Sequence, residues 1–430
     1  MKMALVRGFA SVGIAVTLMG VAHAQTVHQT LTGPMVGDQL CRVAAMGDVD
    51  GDGLADFIVG AIQGWSVPSN GPGYVWIVSG ADGSVLESAA GLTDEDQFGW
   101  AVAGVGDLDG DEVPDALVGA WYDDASAPSA GSAHAISGAT GNTIWSVYGE
   151  SNSDFFGDTV GAVGDVDGDG VPDVAVGSNY DDNNGAQSGS VTVYSGADGQ
   201  FIVQINGDEA LDRVSRMAGV GDINGDEIPD LLVGAYENFD GPGYARVYSG
   251  ADWSILLSFD GDASGDGLGY SVAAAGDVDG DGVPDMIVAA PRESDTAMWA
   301  GSVRVYSGND GGLIHQFWGE AAEDVLGFSV AGGGDFDGDG VLDVLVGAPD
   351  HDSGGNNAGA VYVFSGADGS QLTKIDGAVA GAGLGTQVAF VGDVDGDGLD
   401  DIGVGSKIVE GQSVLIFTSD FPDQIGRAHV

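Results

Sequence analysis

The sequence predicts an all-β fold: a seven-bladed β-propeller of four-stranded blades, with the ring closed by the N-terminal strand. Three observations predict it. An aspartate-rich segment recurs seven times at near-constant spacing, led by Asp48, Asp107, Asp165, Asp222, Asp277, Asp335 and Asp393. Every period carries the same short β-rich runs, bounded by Gly and Asp turns, which is how strands read. The two ends are complementary: residues 26–33 look like a fourth strand with no first three, while the last period shows no clear fourth. No window holds a useful amphipathic helical pattern.

Taken in chain order, residues 1–24 read as a secretory signal peptide. Lys2 and Arg7 give a positive start, residues 8–21 are apolar but too short for a stable span, and Ala22-His23-Ala24 offers small residues for cleavage. A secreted protein is expected, periplasmic, extracellular or at the cell surface. No membrane insertion is expected, because no later stretch reaches the roughly 20 apolar residues a spanning helix needs. The propeller itself is assigned to residues 25–424. The single cysteine, Cys41, excludes an intramolecular disulfide and sits in an apolar stretch, so it reads as a buried structural thiol. Something other than disulfides must rigidify this exported fold.

The chain has 66 acidic and 11 basic residues, a formal charge of −55. That balance excludes nucleic acid and anionic lipid as partners. The acids do not form a solvated tail: 43% of residues are hydrophobic, and the aspartates recur at fixed offsets.

Within a period, a small-residue run such as 100–105 leads into the Asp loop, and a β-rich run such as 343–348 leaves it. A variable polar stretch, an alternating third strand such as 190–194 and a fourth such as 200–205 complete the unit. The loop reads Asp-x-Asp-Gly-Asp-x-x-x-Asp. Carboxylates at positions 1, 3, 5 and 9, with the carbonyl of position 7, wrap one small hard cation, and calcium accepts such a set flexibly. No sulfur or imidazole is present, which argues against zinc or copper. The proposed ligands are Asp48, Asp50, Asp52, Leu54 and Asp56; Asp107, Asp109, Asp111, Val113 and Asp115; Asp165, Asp167, Asp169, Val171 and Asp173. They continue as Asp222, Asn224, Asp226, Ile228 and Asp230; Asp277, Asp279, Asp281, Val283 and Asp285. The last two sets are Asp335, Asp337, Asp339, Val341 and Asp343, and Asp393, Asp395, Asp397, Leu399 and Asp401. Up to seven Ca2+ are therefore expected. An EF-hand is excluded, since position 12 is Val in all seven copies where that motif needs Glu.

The copies are unequal. Five have Gly at position 6, the residue suited to a sharp positive-φ turn, but Glu112 and Glu227 stand there in the second and fourth, so those loops are expected to be strained or differently shaped. Asn224 also lowers the ligand charge of the fourth, which is expected to bind weakest.

These motifs resemble those of FG-GAP repeat proteins and the N-terminal propeller of integrin α subunits. The Phe-Gly before the loop stands as Phe98-Gly99 and Phe156-Gly157, is varied to Leu268-Gly269, Leu326-Gly327 and Leu384-Gly385, and is lost at Gln39-Leu40 and Arg213-Val214. The Gly-Ala-Pro after it stands as Gly347-Ala348-Pro349, with Ala289-Ala290-Pro291 close. The resemblance implies calcium in the loops and, by analogy, one face used for recognition. Integrin propellers bind protein ligands; the stalk and inserted domain of integrins have no counterpart here.

In a propeller the loops between strands one and two lie on one face, and those between two and three on the other. The Asp loops are of the first kind. The variable stretches are of the second and carry Trp65, Trp121, Tyr122, Tyr180, Tyr236, Arg292, Trp299 and His351, residue types that anchor protein or carbohydrate ligands. An adhesion or ligand-binding module, expected to be monomeric, is the favoured function. A calcium-dependent polysaccharide lyase or hydrolase is the rival. It would draw on Asp123, Asp124, Asp181, Asp182, Glu237 and Asp350, but no nucleophile elbow or zinc-protease motif is present, and no catalytic residue is assigned. A part in a surface assembly is a third reading. Residues 425–430 read as a non-native tail, the translation of a common sequencing adapter.

Overall fold

A computed structural model describes residues 26–34, 37–63, 71–237, 241–406 and 413–419. The expected signal peptide, the tail 425–430 and Trp65 lie outside these residues. The described residues form seven four-stranded antiparallel sheets and no helix. Blade I runs from its inner strand Leu40–Gly47 through Asp56–Ala61 and Tyr74–Val78 to its outer strand Val85–Ala90. Each inner strand packs against those of the two neighbouring blades, the seventh against the first. The protein is a seven-bladed β-propeller.

Closure follows the complementarity of the ends. Thr26–Thr32 pairs antiparallel with Ser413–Thr418 and becomes the outer strand of blade VII, with Thr32 opposite Ser413 and Thr26 opposite Thr418. That arrangement leaves no open edge between the first and last blades.

Burial explains the sequence of each strand. The second strand of a blade lies between two sheets, so a run such as Asp115–Ala120 is buried at every position and reads as continuous small and β-branched residues. The outer strands are half exposed and alternate, as in Val85–Ala90. The apolar core among the described residues is divided into seven clusters, each between two adjacent blades. Fully burying one Val, Leu or Phe stabilises by about 1.5–3 kcal/mol, so the ring is held by what lies between blades.

The repeat motif gains a physical meaning here. Phe98 leaves the outer rim of blade I, bridges to Gly73 and plugs the core between blades I and II. Phe156, Val214, Leu268, Leu326 and Leu384 do the same around the ring. The glycine that follows Phe98 lies backbone to backbone against the preceding blade: a Cβ on Gly60 would collide with the carbonyl oxygen of Gly99. The two glycines that give the motif its pattern are thus one contact seen from two blades.

Candidate metal centres and the opposite face

Each Asp loop begins where the inner strand ends in a bulge, as at Ala45/Gly47 in blade I. In blade I, Asp48 accepts backbone N–H groups from Gly51 (2.7 Å), Asp52 (3.1 Å) and Gly53 (3.0 Å). Asp50 accepts from Asp52 (3.1 Å), and Asp52 from Leu54 (2.9 Å). The position-7 residue donates its N–H to the position-5 carboxylate in all seven loops. The side chains are therefore aimed by their own loop.

Carboxylate oxygens converge as a cation would need. Ligand atoms of Asp48, Asp50 and Asp56 lie within 4.8 Å of one another, as do those of Asp107, Asp109 and Asp115, of Asp165, Asp167 and Asp173, and of Asp277, Asp279 and Asp285. In blade VI the converging set is Asp335, Asp337 and Asp339.

Position 9 does more than the spacing suggested. Asp56 is fully buried; one oxygen accepts from Val49 (2.7 Å) and Asp50 (3.2 Å), the other from Gly80 (2.9 Å) in the turn between strands three and four. Asp115, Asp173, Asp230, Asp285, Asp343 and Asp401 likewise bracket the Asp loop to the second turn on that face. Burial pushes these carboxyls up against the lowering effect of the backbone N–H groups, and takes Asp343 and Asp401 to about 7. A buried carboxylate held ionised calls for positive charge beside it. The oxygen-only donor set fits a hard divalent cation.

The unequal loops resolve into strain rather than a new shape. Glu112 and Glu227 both adopt φ 70. Their N–H groups bond to Asp107 (2.8 Å) and Asp222 (2.7 Å) as the glycine N–H groups do elsewhere. In the fourth loop Asn224 accepts from Asp226 (2.9 Å) and donates its amide to Ser249 (3.3 Å), which engages the side chain within the protein.

The opposite face gathers some of the expected aromatic residues and separates others. Trp121 stacks on Trp100 with ring centroids 4.1 Å apart and donates to Gln97 (2.9 Å). Tyr122 meets Trp121 and Phe155 edge-on or tilted, and Phe155 meets Tyr180. The Arg213 guanidinium lies 4.7 Å above the Tyr180 ring and 5.9 Å from that of Tyr236, and Arg292 lies 5.8 Å from the Tyr270 ring. Trp299 is exposed in blade V. His351 is buried, with Nδ1 2.9 Å from Asp324 and Lys374 beside its Nε2 at 3.1 Å. It belongs to a polar latch inside blade VI.

The acids of the variable loops hold turns. Asp123 accepts from Ala125 (2.7 Å), Asp181 from Asn183 (2.9 Å), Asp182 from Gln187 (2.7 Å) and Glu237 from Gly243 (2.9 Å). Asp124 is bonded in the same way to Ser129. Asp350 is half-buried in the blade VI turn beside His351.

Sequence reasoning missed the residues just before and at the start of the inner strands: Arg42, Trp100, Asp158, Arg216, Tyr270 and Phe328. Their signal was present, since each follows a Phe-Gly motif or the place where that motif is lost. It was masked by reading the motif as a marker and not as a position on the axis.

The chain matches the FG-GAP repeat family over residues 42–78, 156–194, 268–310 and 326–364. It is 37% identical to integrin alpha-V of Gallus gallus over 144 residues, 32% of this chain and 13% of that protein. It is 29% identical to integrin alpha-4 of Xenopus laevis over 244 residues, 53% of this chain and 23% of that protein. With integrin alpha-5 of Xenopus laevis the identity is 32% over 205 residues, 44% and 19% of the respective lengths. The chain thus spans less than a quarter of the length of these relatives.

Proposed function

We propose that this FG-GAP repeat β-propeller, integrin-α-like in its repeats, is a secreted adhesion or ligand-binding module in which calcium plays a structural part. The observation that carries this reading is the convergence of the loop carboxylates in blades I, II, III, V and VI, aimed by their own backbone and, as at Asp56, tied through position 9 to the neighbouring turn. A cation there would clamp two turns of one blade together. The chain has no intramolecular disulfide available to it, so calcium would take the place of that staple. Ions that bind the folded state and not the unfolded one add about 2.7 kcal/mol per site at a hundredfold excess over Kd. The opposite face, rich in half-buried aromatic rings and arginine, would receive an extracellular protein or carbohydrate ligand.

Thermal unfolding of the chain from residue 25, with millimolar calcium and with excess chelator, tests the metal. A large rise in Tm with calcium is expected. Coincident transitions would remove calcium from the account of stability and leave the loops as acidic turns.

A further inference from the structure

We propose that the axial mouth on the face away from the Asp loops is where this chain grips a carboxylate-bearing segment of a protein partner. The inference rests on reading the chain as a ligand-binding module and adds the site and the ligand's chemistry.

One side chain from each blade forms a ring there. Arg42 lies 4.6 Å above the Trp100 ring, Trp100 donates to Asp158 (3.2 Å), and Asp158 pairs with Arg216 (3.4 Å). Arg216 lies 5.6 Å from the Tyr270 ring, whose centroid is 5.3 Å from that of Phe328. On the other side Arg42 donates to Gln387 of blade VII (3.4 Å). Outside this ring stand Trp121, Tyr180, Arg213, Tyr236 and Arg292.

Charge singles the mouth out. Between residues 25 and 424 the chain has eight basic residues, Arg42, Arg213, Arg216, Arg246, Arg292, Arg304, Lys374 and Lys407. Away from the mouth, Arg246 is paired with Asp208 (2.6 Å), Arg304 with Asp262 and Glu293, and Lys374 with Glu320 (2.7 Å). In a protein of 66 acids such pairing is easily found. Yet Arg42 and Arg213 are held by the amide oxygens of Gln387 and Gln187, the Tyr236 hydroxyl and aromatic faces, with no carboxylate among the described residues. Their Nε atoms are buried and have no hydrogen-bond partner. Burying donors of a charged group without an acceptor is costly. An incoming carboxylate would supply the missing charge, and arginine's planar fork suits it.

Backbone strain marks the same place. The residue before the Phe, Leu or Val of the motif position is left-handed in every blade: Gln39, Gln97, Phe155, Arg213, Gly267, Val325 and Gly383, with φ between 50 and 71. Two blades use the glycine this conformation favours. The others keep side chains there at a cost of about 1–3 kcal/mol each, as functional surfaces do. Of these, Gln97, Phe155 and Arg213 touch the aromatic set directly.

The ring faces favour a protein over a sugar. Trp100 and Trp121 cover each other, and Tyr180 lies under Arg213, so flat faces for stacking a pyranose are already occupied. Ring edges and guanidinium groups are what remains. A long polyanion would also be repelled by a chain of charge −55, whereas one or two carboxylates at the mouth meet arginine within a Debye length.

Calorimetry on the calcium-loaded chain tests this with three probes: the capped hexapeptide Gly-Tyr-Asp-Glu-Tyr-Gly, its Asn-Gln counterpart, and oligogalacturonate. The acidic peptide should bind at least about tenfold more tightly than the amide peptide, the scale of one charge-assisted hydrogen bond. Arg42→Gln and Arg213→Gln should each weaken it about tenfold, with Arg42→Lys intermediate because charge remains while the fork is lost. The variants' calcium-dependent Tm serves as the check on folding. Equal binding of the two peptides, no binding, or binding indifferent to both substitutions would overturn the carboxylate site. Oligogalacturonate binding in preference to the peptide would overturn the protein partner. In each of those cases a calcium-dependent Tm still supports the module reading, whereas loss of that dependence fails the latter independently.

Discussion

The Asp loop of blade I can be laid over that of blade III with every hydrogen bond kept. Asp48 and Asp165 accept from the same three backbone positions at distances that agree within 0.1 Å, and Asp56 and Asp173 bracket the same two turns. On the other face the same two blades share a left-handed backbone turn at Gln39 and Phe155 but not their side chains: at the mouth blade I contributes Arg42 and blade III Asp158. One face repeats a single local solution seven times; the other uses seven places to build one composite surface. Repetition fits a role each blade performs for itself, such as binding its own ion. Divergence fits a role performed once, by all blades together.

The largest test of this contrast lies within the repeated face, between position 9 and position 5. Asp173 is buried and accepts from Val166, Asp167 and Gly196, whereas Asp169 is exposed and accepts from Val171 alone through its own turn. In the presence of chelator, Asp173→Ala should cost about 3 kcal/mol, because three backbone donors, the buried Gly196 N–H among them, lose their acceptor. Asp169→Ala should cost under about 1 kcal/mol until calcium is added. Urea unfolding of both variants, with and without calcium, separates the two; equal losses in chelator would erase the division between bracket and ligand.

The next test breaks the equality of the seven loops. Asn224→Asp restores the fourth carboxylate of blade IV and removes the amide bond to Ser249. The fourth site should be the weakest in the natural chain and gain about tenfold in affinity, or about 1.4 kcal/mol, in the variant. A site-resolved calcium titration reads this directly, and uniform occupancy in the natural chain would contradict it.

How far these differences were legible depends on the kind of information each carries. The period, the strand order and the closing strand 26–32 could be read because repetition and alternation are local in sequence. The bracket made by Asp56 could not, because its partner Gly80 lies 24 residues away and its N–H is a backbone group that leaves no mark in the sequence. The mouth was half legible. Tyr180 and Trp121 were found as exposed-type residues in variable loops, but Arg42 and Arg216 lie at the start of inner strands, where a linear reading sees only a strand. Their blades are those that lose the Phe-Gly motif. What looked like decay of a repeat places guanidinium groups on the axis.

Strain offers a sharper comparison of the faces at smaller cost. Val325, β-branched, holds φ 50 where blades V and VII have glycine. Val325→Gly should raise stability by about 1 kcal/mol by relieving that conformation, net of the greater freedom of glycine in the unfolded chain. Urea unfolding would show it, with calcium affinity unchanged, since the residue lies on the face away from the loops. A loss of stability instead would mean that the side chain's packing against its neighbours outweighs the strain.

The smallest effect concerns the acids beneath the variable loops. Burial, then the charge of Asp123, raises Asp96 to about 6; burial, then Asp181 and its neighbours against the Ser151 N–H, raises Asp154 likewise. Because the folded pKa lies above the unfolded one, the folded state binds the proton first as pH falls from about 6 towards 4, and stability from these groups rises over that window. At neutral pH each is an ionised carboxylate beside other acids and opposes folding. Asp96→Asn removes that charge while its side-chain oxygen can still accept from the Thr93 N–H. In chelator, the variant should exceed the natural chain by under about 1 kcal/mol at pH 7.5, the shift being discounted for solvent screening, and the gap should narrow at pH 5. This pH dependence runs opposite to that of a carboxylate held by a cation, which loses its partner as pH falls. A gap that stays constant between the two pH values would show that Asp96 is not protonated ahead of the unfolded chain.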